Sequence, residues 1–218
     1  VNGNRSNLTA SVTPRGNRDF SNHTISVVYS IDEGPRAYIE RIEIRGNNRT
    51  RDYVIRREFD VSEGDAFNQV MIARAKRRLE GLGFFQTVNI STVPGSQPDQ
   101  VILVVDVVEQ STGEFSIGAG YTTGQTYSSG GGFSLEGSIT ERNFLGRGQF
   151  IRFSASGGKD SRDFQLSFTE PYFMGRRISA GFDIFRNTRE YDEYGSELTG
   201  GTIRFGLPIS QGLTAQVA

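Results

Sequence analysis

The sequence predicts an α+β module with the element order β-α-α-β-β, followed by the first antiparallel strands of a transmembrane β-barrel. Both helix and strand patterns occur up to about residue 110, and only strand patterns follow. The composition changes at the same place. Residues 1–110 hold 8 of the 27 glycines and 5 of the 16 phenylalanines, whereas residues 111–218 hold 19 and 11. Because a Gly-rich and Phe-rich stretch is typical of many strands joined by turns, we place a boundary near Gln110.

Charge and composition exclude several classes of function. The chain has 24 basic and 25 acidic residues, and its net charge of -1 argues against a generic nucleic-acid binder. It contains no cysteine, which removes disulfides, thiolate metal sites and cysteine nucleophiles. A single histidine, His23, excludes a multi-histidine metal site. We therefore predict no catalytic, metal or cofactor site.

Residues 1–35 have the pattern of two strands without the rest of a domain. Between His23 and Glu33, apolar side chains alternate with polar ones, so Ile25, Val27 and Tyr29 are expected on the buried face of a strand. Together with Ala10–Pro14, this strand repeats the pattern that ends the next module, about 76 residues later. We expect residues 1–35 to be the last two strands of a preceding copy of that module.

Residues 36–110 are expected to form the complete module. Its first strand, at 37–45, shows a break in alternation that indicates a bulge or a late start. Thr50–Phe59 predicts a short helix with Thr50 as N-cap, and Asn68–Leu82 predicts a longer amphipathic helix that stops at Gly81 and Gly83. Two further strands are expected at 84–93 and 101–109.

Residues 111–218 are expected to form about six strands of an incomplete outer-membrane barrel. Each strand has one apolar face, while the opposite faces carry Glu136, Arg152, Asp183 and Arg204. A nearly pure apolar face opposite a charged one matches a lipid-facing exterior and a wet interior. Beyond the first strand, the residues expected to face lipid are Phe133, Leu135, Ile139, Ile151, Phe153, Phe164, Leu166, Phe168, Ile178, Phe182, Ile184, Ile203, Phe205 and Leu207.

The connections between these strands alternate in character. Those at 123–132, 157–162 and 187–200 are polar and reach about 14 residues, and those at 143–148, 171–177 and 208–212 are shorter and more apolar. Outer-membrane barrels have short periplasmic turns and longer external loops, so we expect the shorter set on the side of the soluble module. Six strands cannot enclose an aqueous lumen, and an open sheet edge is not tolerated in lipid, so we expect the chain to be a fragment of a larger protein.

Several motifs resemble the BamA family of bacterial outer-membrane assembly factors, which join POTRA domains to an outer-membrane β-barrel. Residues 38–58 and 79–88 are similar to the family's last POTRA domain. Thr112–Tyr121 looks like its first barrel strand, and Glu141–Gly148 and Thr169–Phe173 resemble its periplasmic turns. The resemblance implies POTRA modules followed by barrel strands, located in the outer membrane with the POTRA domains in the periplasm.

The resemblance further implies assembly and insertion of β-barrel proteins rather than enzymatic activity. Its implied partners are unfolded outer-membrane proteins, periplasmic chaperones, outer-membrane assembly lipoproteins and the lipid bilayer, with no nucleic acid. In this reading the first barrel strand forms a lateral gate and pairs with client strands through its backbone. The residues of that strand are Glu114, Phe115, Ser116, Ile117, Gly118, Ala119, Gly120 and Tyr121.

Alternatives remain open at three points. Gly118 and Gly120 either weaken the gate strand or make room for packing in the lumen. The POTRA strand at 37–45 or 84–93 either presents an open edge that binds unfolded chains or accessory lipoproteins, or has its edge covered by a neighbouring module. The alternative functions are a two-partner secretion or autotransporter-assembly translocator of the same superfamily and, disfavoured by the POTRA-like module, a passive porin or surface antigen.

Overall fold

The computed structural model describes residues 11–19, 21–32, 36–122, 132–190, 194–210 and 213–217. The chain divides into two compact units. The first comprises residues 1–48 and 52–110, and the second comprises residues 49–51 and 111–218. Within the described ranges, neither helix has the length and apolar character needed to cross a membrane.

The first unit begins with an antiparallel hairpin. Strand β1 (Ser11–Asp19) pairs along its whole length with β2 (Thr24–Asp32). The expected burial of Ile25, Val27 and Tyr29 is wrong, because all three side chains are exposed. The physical reason is that, among the described strands, this pair forms a sheet of its own, so alternation is present without a layer to cover it. His23 lies in the connecting turn with φ 53°, not in the strand.

A three-stranded mixed sheet follows in the order β3-β5-β4. Strand β3 (Tyr38–Arg45) runs parallel to the central β5 (Gln100–Glu109), and β4 (Phe85–Pro94) is antiparallel to it. Of the two explanations for the break in alternation in the first strand, the shift in register between Ile39 and Arg41 favours a bulge over a late start. The central position of β5 explains its nearly continuous run of buried aliphatic residues from Val101 to Val105.

Two helices accompany this sheet. Helix α1 (Asp52–Arg56) is shorter than the predicted Thr50–Phe59 and starts at Asp52. Helix α2 (Gln69–Gly81) confirms the longer prediction, with Asn68 Oδ1 accepting hydrogen bonds from the backbone N–H groups of Val70 and Met71. The largest fully buried side chains of the core are Ile39, Ile55, Leu79, Leu103, Val54 and Val105.

The second unit is a seven-stranded antiparallel meander. Its strands are β6 (Gly113–Thr122), β7 (Gly132–Phe144), β8 (Gln149–Gly158), β9 (Ser161–Glu170), β10 (Ser179–Glu190), β11 (Gly195–Ser210) and β12 (Leu213–Val217). Each strand pairs with its neighbours in sequence, which places β6 and β12 at the two edges of an open sheet. The six predicted strands are present, and the short β12 is the seventh.

Two of the predicted long loops are wrong. The connection at 157–162 is a tight turn at Lys159 and Asp160, because β8 runs to Gly158 and β9 begins at Ser161. In the stretch 187–200, β10 and β11 remain paired from Asn187 opposite Leu198 to Glu190 opposite Gly195. Polar residues can continue a ladder as well as form a loop, so polarity alone misplaces these strand ends. The remaining predicted loop, 123–132, lies almost wholly outside the described residues.

The segment Arg49–Arg51 is an integral part of the second unit. The buried Asn143 donates from Nδ2 to Thr50 Oγ1 at 2.9 Å and accepts at Oδ1 from the Gly148 N–H at 2.8 Å. The Arg51 N–H donates to the Gly146 carbonyl at 2.8 Å. A Cβ on Gly146 would lie 1.9 Å from the Arg49 carbonyl oxygen, so only glycine fits there. The Thr50 hydroxyl thus takes part in the hydrogen bonds that join Arg49–Arg51 to the turn at 143–148.

Candidate functional site at the β6 edge and the apolar face

Strand β6 carries the predicted client-pairing residues Glu114–Tyr121 and lies at the edge of the sheet. It pairs with β7 from Gly113 opposite Glu141 to Thr122 opposite Gly132. No other described strand pairs with its second edge. The backbone N–H and C=O groups along a free edge are a template for a further strand. The structure thus brings the eight predicted residues together on one pairing edge.

The glycines of β6 leave space for side chains of β7 on the polar face. A Cβ added to Gly118 would lie 2.6 Å from Glu136 Oε1 and 2.8 Å from its Cγ. A Cβ on Gly120 would lie 3.1 Å from Ser134 Oγ. Between β6 and β7, Ser116 and Ser138 share a hydroxyl hydrogen bond of 2.8 Å. If Gly118 makes room for packing in the lumen, the side chain that occupies this room is that of Glu136.

The predicted lipid-facing residues share one face across all the strands. One row of paired residues runs from Phe115 through Ile139, Phe153 and Leu166 to Ile184. The next row runs from Ile151 through Phe168 and Phe182 to Ile203, with the rings of Phe168 and Phe182 stacked at 5.6 Å. Most of these side chains are exposed, including Ile117 at 71%. The face is a continuous apolar surface that is uncovered within the described residues.

The opposite face carries charges that are tied across strands. Arg204 on β11 donates from Nε and Nη2 to the carboxylate of Asp183 on β10 at 2.6 and 3.2 Å. Its Nη2 also reaches Thr169 on β9, at 3.2 Å. To reach Thr169, the Arg204 side chain crosses β10 at Gly181, where an added Cβ would lie 3.2 Å from Arg204 Nη2. One guanidinium thus links three strands.

A second ion pair lies further along the polar face. Arg189 on β10 makes a bidentate contact with Asp163 on β9, and Asp163 also accepts from the Ser156 hydroxyl at 3.3 Å. Asp163 and Ser156 form part of the wall of a polar groove that includes Glu136 and Arg152. The β6–β7 pair carries glycine and serine on this face, together with an ion pair of 3.1 Å between Arg142 and Glu114. That pair is 54% and 62% exposed, whereas the Arg204–Asp183 pair is 25% and 20% exposed, so the polar contacts are better shielded from water at β10–β11 than at the β6 edge.

The two candidate edges of the first unit differ. On the outer side of β3, the Ile39 N–H donates to the Asp65 carbonyl, and the Ile39 carbonyl accepts from Gly64. The Ile42 N–H donates to Glu63 Oε1, and its carbonyl accepts from Arg56 Nη2. Much of the β3 edge is therefore already hydrogen-bonded within the unit. The sheet order leaves β4 as the other edge, and most of its residues are exposed.

Sequence reasoning missed two of these features. The coverage of β3 depends on residues 56–65, which are distant in sequence and carry no pairing signal of their own. The contacts of Arg204 depend on the register of β9, β10 and β11, although the sequence does place a glycine opposite an arginine in neighbouring strand patterns.

Among the described residues, no group of three or more His, Cys, Asp or Glu side chains could hold a metal ion.

Comparison with known proteins agrees with this architecture. Residues 37–110 match the POTRA family, described as a surface antigen variable number repeat, and residues 143–218 match the Omp85 superfamily domain. The chain belongs to the Omp85 superfamily. Its POTRA domain is the β3–β5 module, and its antiparallel sheet corresponds to the barrel region, left open because the chain holds only part of it.

Omp85 relatives share sequence over nearly the whole chain. The outer membrane protein assembly factor BamA of Nitratidesulfovibrio vulgaris is 33% identical over 93% of the chain, and that of Neisseria meningitidis is 32% identical over 92%. The chain spans 25% of the length of each. The crystal structure of Haemophilus ducreyi BamA lacking POTRA domains 1–3 aligns over 98% of this chain and 40% of its own, at 31% identity and a TM-score of 0.80.

Proposed function

We propose that this chain is part of a protein that assembles and inserts β-barrel proteins in the outer membrane. The chain is an outer-membrane component with its POTRA domain in the periplasm. The relatives that it matches over most of its length are named outer membrane protein assembly factors. The observation that carries the proposal is a POTRA domain joined in one chain to an antiparallel sheet that has one continuous apolar face. In the complete barrel, β6 would be the first strand of that sheet, and its seam with the last strand would be the place where a client strand enters lipid.

In the proposed mechanism, β6 is the lateral-gate strand. Opening its seam with the last strand of the complete barrel exposes the N–H and C=O groups of every second residue along Glu114–Tyr121, because the others bond to β7. In hydrocarbon an unpaired backbone group costs several kcal/mol, so an incoming strand that pairs with β6 is strongly favoured. Because the pairing uses backbone atoms, clients with unrelated side chains are accepted. Gly118 and Gly120 favour opening, since glycine weakens a strand.

The apolar face is proposed to contact lipid. The paired rows of Phe, Ile and Leu side chains extend from β6 to β11 without a covering element among the described residues. The charged groups Glu136, Asp183 and Arg204 lie on the other face, where the complete barrel would hold water. This arrangement supports the lipid-facing assignment of all fourteen residues that the alternation predicts.

Client delivery is proposed to use the edge of β4. The outer side of β3 is occupied by hydrogen bonds to Asp65, Gly64, Glu63 and Arg56, which leaves β4 as the better edge for strand addition. Unfolded outer-membrane proteins, handed over by periplasmic chaperones, are the proposed ligands there. Assembly lipoproteins are the proposed stable partners of the POTRA domain.

The hairpin at the start of the chain is proposed to complete another POTRA domain. β1 and β2 form an antiparallel pair whose Ile25, Val27 and Tyr29 are exposed. A POTRA sheet ends in the same antiparallel pair, as β4 and β5 show. Residues 1–35 would then be the last strands of a preceding domain, with the last POTRA domain at 36–110 and the barrel from 111.

Depletion of the protein in living cells tests the proposed function. Quantifying all outer-membrane proteins after depletion should show loss of many unrelated β-barrels, because backbone pairing is indifferent to sequence. Loss of one secreted partner or of autotransporters alone would favour a translocator. An unchanged outer-membrane proteome would contradict any role in assembly.

A further inference from the structure

Two turns at the same end of the sheet repeat one sequence and one hydrogen-bond pattern. Residues 141–147 and 170–176 both read Glu, two variable residues, Phe, Leu or Met, Gly, Arg. In each, the glutamate Oε1 accepts from the backbone N–H two residues later, at 2.8 Å in the first turn and 2.9 Å in the second. In each, the glycine and arginine N–H groups donate to the carbonyls three residues before them.

The repeated turn places an apolar residue in a backbone conformation that normally favours glycine. Leu145 has φ 53° and Met174 has φ 55°, and each is followed by a glycine at φ 70° or 73°. Glycine or asparagine adopts the left-handed region at lower cost than leucine or methionine. The turn geometry therefore does not select an apolar side chain at this position.

Burial within the chain does not explain these two residues either. The side chain of Leu145 is 62% exposed and that of Met174 is 84% exposed. Each is followed, after its glycine, by an exposed arginine, Arg147 or Arg176. Two turns of one sheet thus present the same combination of an apolar tip and a neighbouring cation.

The second turn extends the apolar face beyond the ends of the strands. The ring of Phe173, beside Met174, contacts Phe205 of the apolar face in an edge-on arrangement at 6.3 Å. From Ile178 to Ile184 the face covers six residue steps, roughly 20 Å along a strand. The apolar band of outer-membrane barrels is about 25 Å tall, and strand tilt reduces the height that six steps cover. Apolar turn tips would supply the missing height.

We propose that Leu145 and Met174 are lipid anchors. Their side chains enter the leaflet on the side of these turns, and Arg147 and Arg176 pair with phospholipid phosphates at its surface. The proposal rests on the proposed function only in requiring that the apolar face of the sheet contacts lipid. Continuity with that face favours a membrane over a protein partner, and paired arginines suit phosphate oxygens. The first turn is also fixed by its contact with Arg51, which holds its tip in place.

The test measures the depth of nitroxide labels on single cysteines in the full-length protein. The chain contains no cysteine, and labels at 145 and 174 replace two exposed side chains in independent turns. The protein is reconstituted in vesicles of phosphatidylethanolamine and phosphatidylglycerol, and collisions with oxygen and with a water-soluble nickel chelate are compared. Reference labels are Phe153→Cys on the apolar face, Gln165→Cys on the polar face and Lys159→Cys in the opposite turn.

The proposal predicts that labels at 145 and 174 collide with oxygen in preference to nickel, at a depth between those at 153 and 159. In the double variant Arg147→Gln with Arg176→Gln, the collision rate of both labels with the nickel chelate should rise at least twofold, toward the rate at position 159. Labels at 145 and 174 as nickel-accessible as 159 would overturn the anchors while 153 remained in lipid. Protection from both reagents would assign the tips to a protein contact instead. A nickel-accessible label at 153 would overturn the lipid-facing assignment itself.

Discussion

Glu136 of β7 lies across Gly118 of β6, so close that a Cβ on Gly118 would meet the glutamate Oε1 at 2.6 Å. Gly118→Ala should therefore displace Glu136 and destabilise the β6–β7 pair by about 0.5–1 kcal/mol, a modest loss because the exposed glutamate side chain can move. The measurement is the urea midpoint of the folded protein in detergent.

The double variant Gly118→Ala with Glu136→Ala separates the two interpretations of this glycine. If Gly118 makes room for Glu136, removing the glutamate should recover most of the lost stability. The matched control is Gly120→Ala, whose nearest neighbour is the Ser134 hydroxyl at 3.1 Å. Equal losses with and without Glu136 would contradict the packing role and leave strand flexibility as the reason for the glycine.

Arg204 is expected to stabilise the β9–β11 part of the sheet. Arg204→Met leaves Asp183 without its guanidinium on a partly buried face, and the expected cost is about 1–3 kcal/mol. Arg186→Met is the matched control, because its pair with Glu197 is 57% and 51% exposed and such pairs contribute about 0–1 kcal/mol. The temperature at which the folded band is lost on a semi-native gel reports both variants. Equal shifts would contradict the three-strand tie.

The core of the POTRA domain depends on Leu79 of α2, which has no exposed surface. Leu79→Ala should lower the free energy of unfolding of this domain by about 2–5 kcal/mol, through lost burial and the cavity left behind. Hydrogen exchange of the β5 amides in the intact protein measures the effect. Val70→Ala, on the exposed side of the same helix, should change it little. Unchanged protection in Leu79→Ala would show that α2 does not pack as described.

Glu43 on β3 should titrate below its ordinary range. The side chain of Arg45, and then that of Arg41, hydrogen-bonds the carboxylate and lowers its pKa. The lowered pKa means that this contribution to stability is present above the ordinary carboxyl pKa and is lost as the pH falls through the lowered value. Carbon-detected NMR titration of Glu43 measures the midpoint. Arg45→Gln should raise it, and an unchanged midpoint would contradict the assigned cause.

Much of the fold follows from the sequence because its signals are local. The helix at Gln69–Gly81 has an N-cap, an apolar stripe and terminal glycines. The strands of the second unit alternate apolar and polar residues, and the pairing of each strand with the next places apolar residues opposite apolar ones. Alternation also predicted which residues share a face, from Phe115 to Leu207.

Other features could not be predicted because they depend on contacts between distant residues. The Thr50 hydroxyl accepts a hydrogen bond from Asn143, 93 residues further along the chain, and the helix predicted from Thr50 starts at Asp52. The ladder between Asn187 and Gly200 is polar, and pairing with the opposite strand decides that it is not a loop. The β3 edge is covered by residues 56–65, which only tertiary structure brings there.

Site-specific disulfide cross-linking of β6 tests the central claim, that this edge pairs with a client strand. Single cysteines at positions 114–121 are combined with cysteines along a terminal strand of a barrel protein arrested during insertion. We predict adducts in one antiparallel register. Moving the cysteine one residue forward along β6 should move the cross-linked position one residue backward along the client strand. Cysteines at positions 165 and 167 of β9, inside the sheet, should give none. Adducts without register along β6, or adducts at β9 of equal yield, would contradict the account.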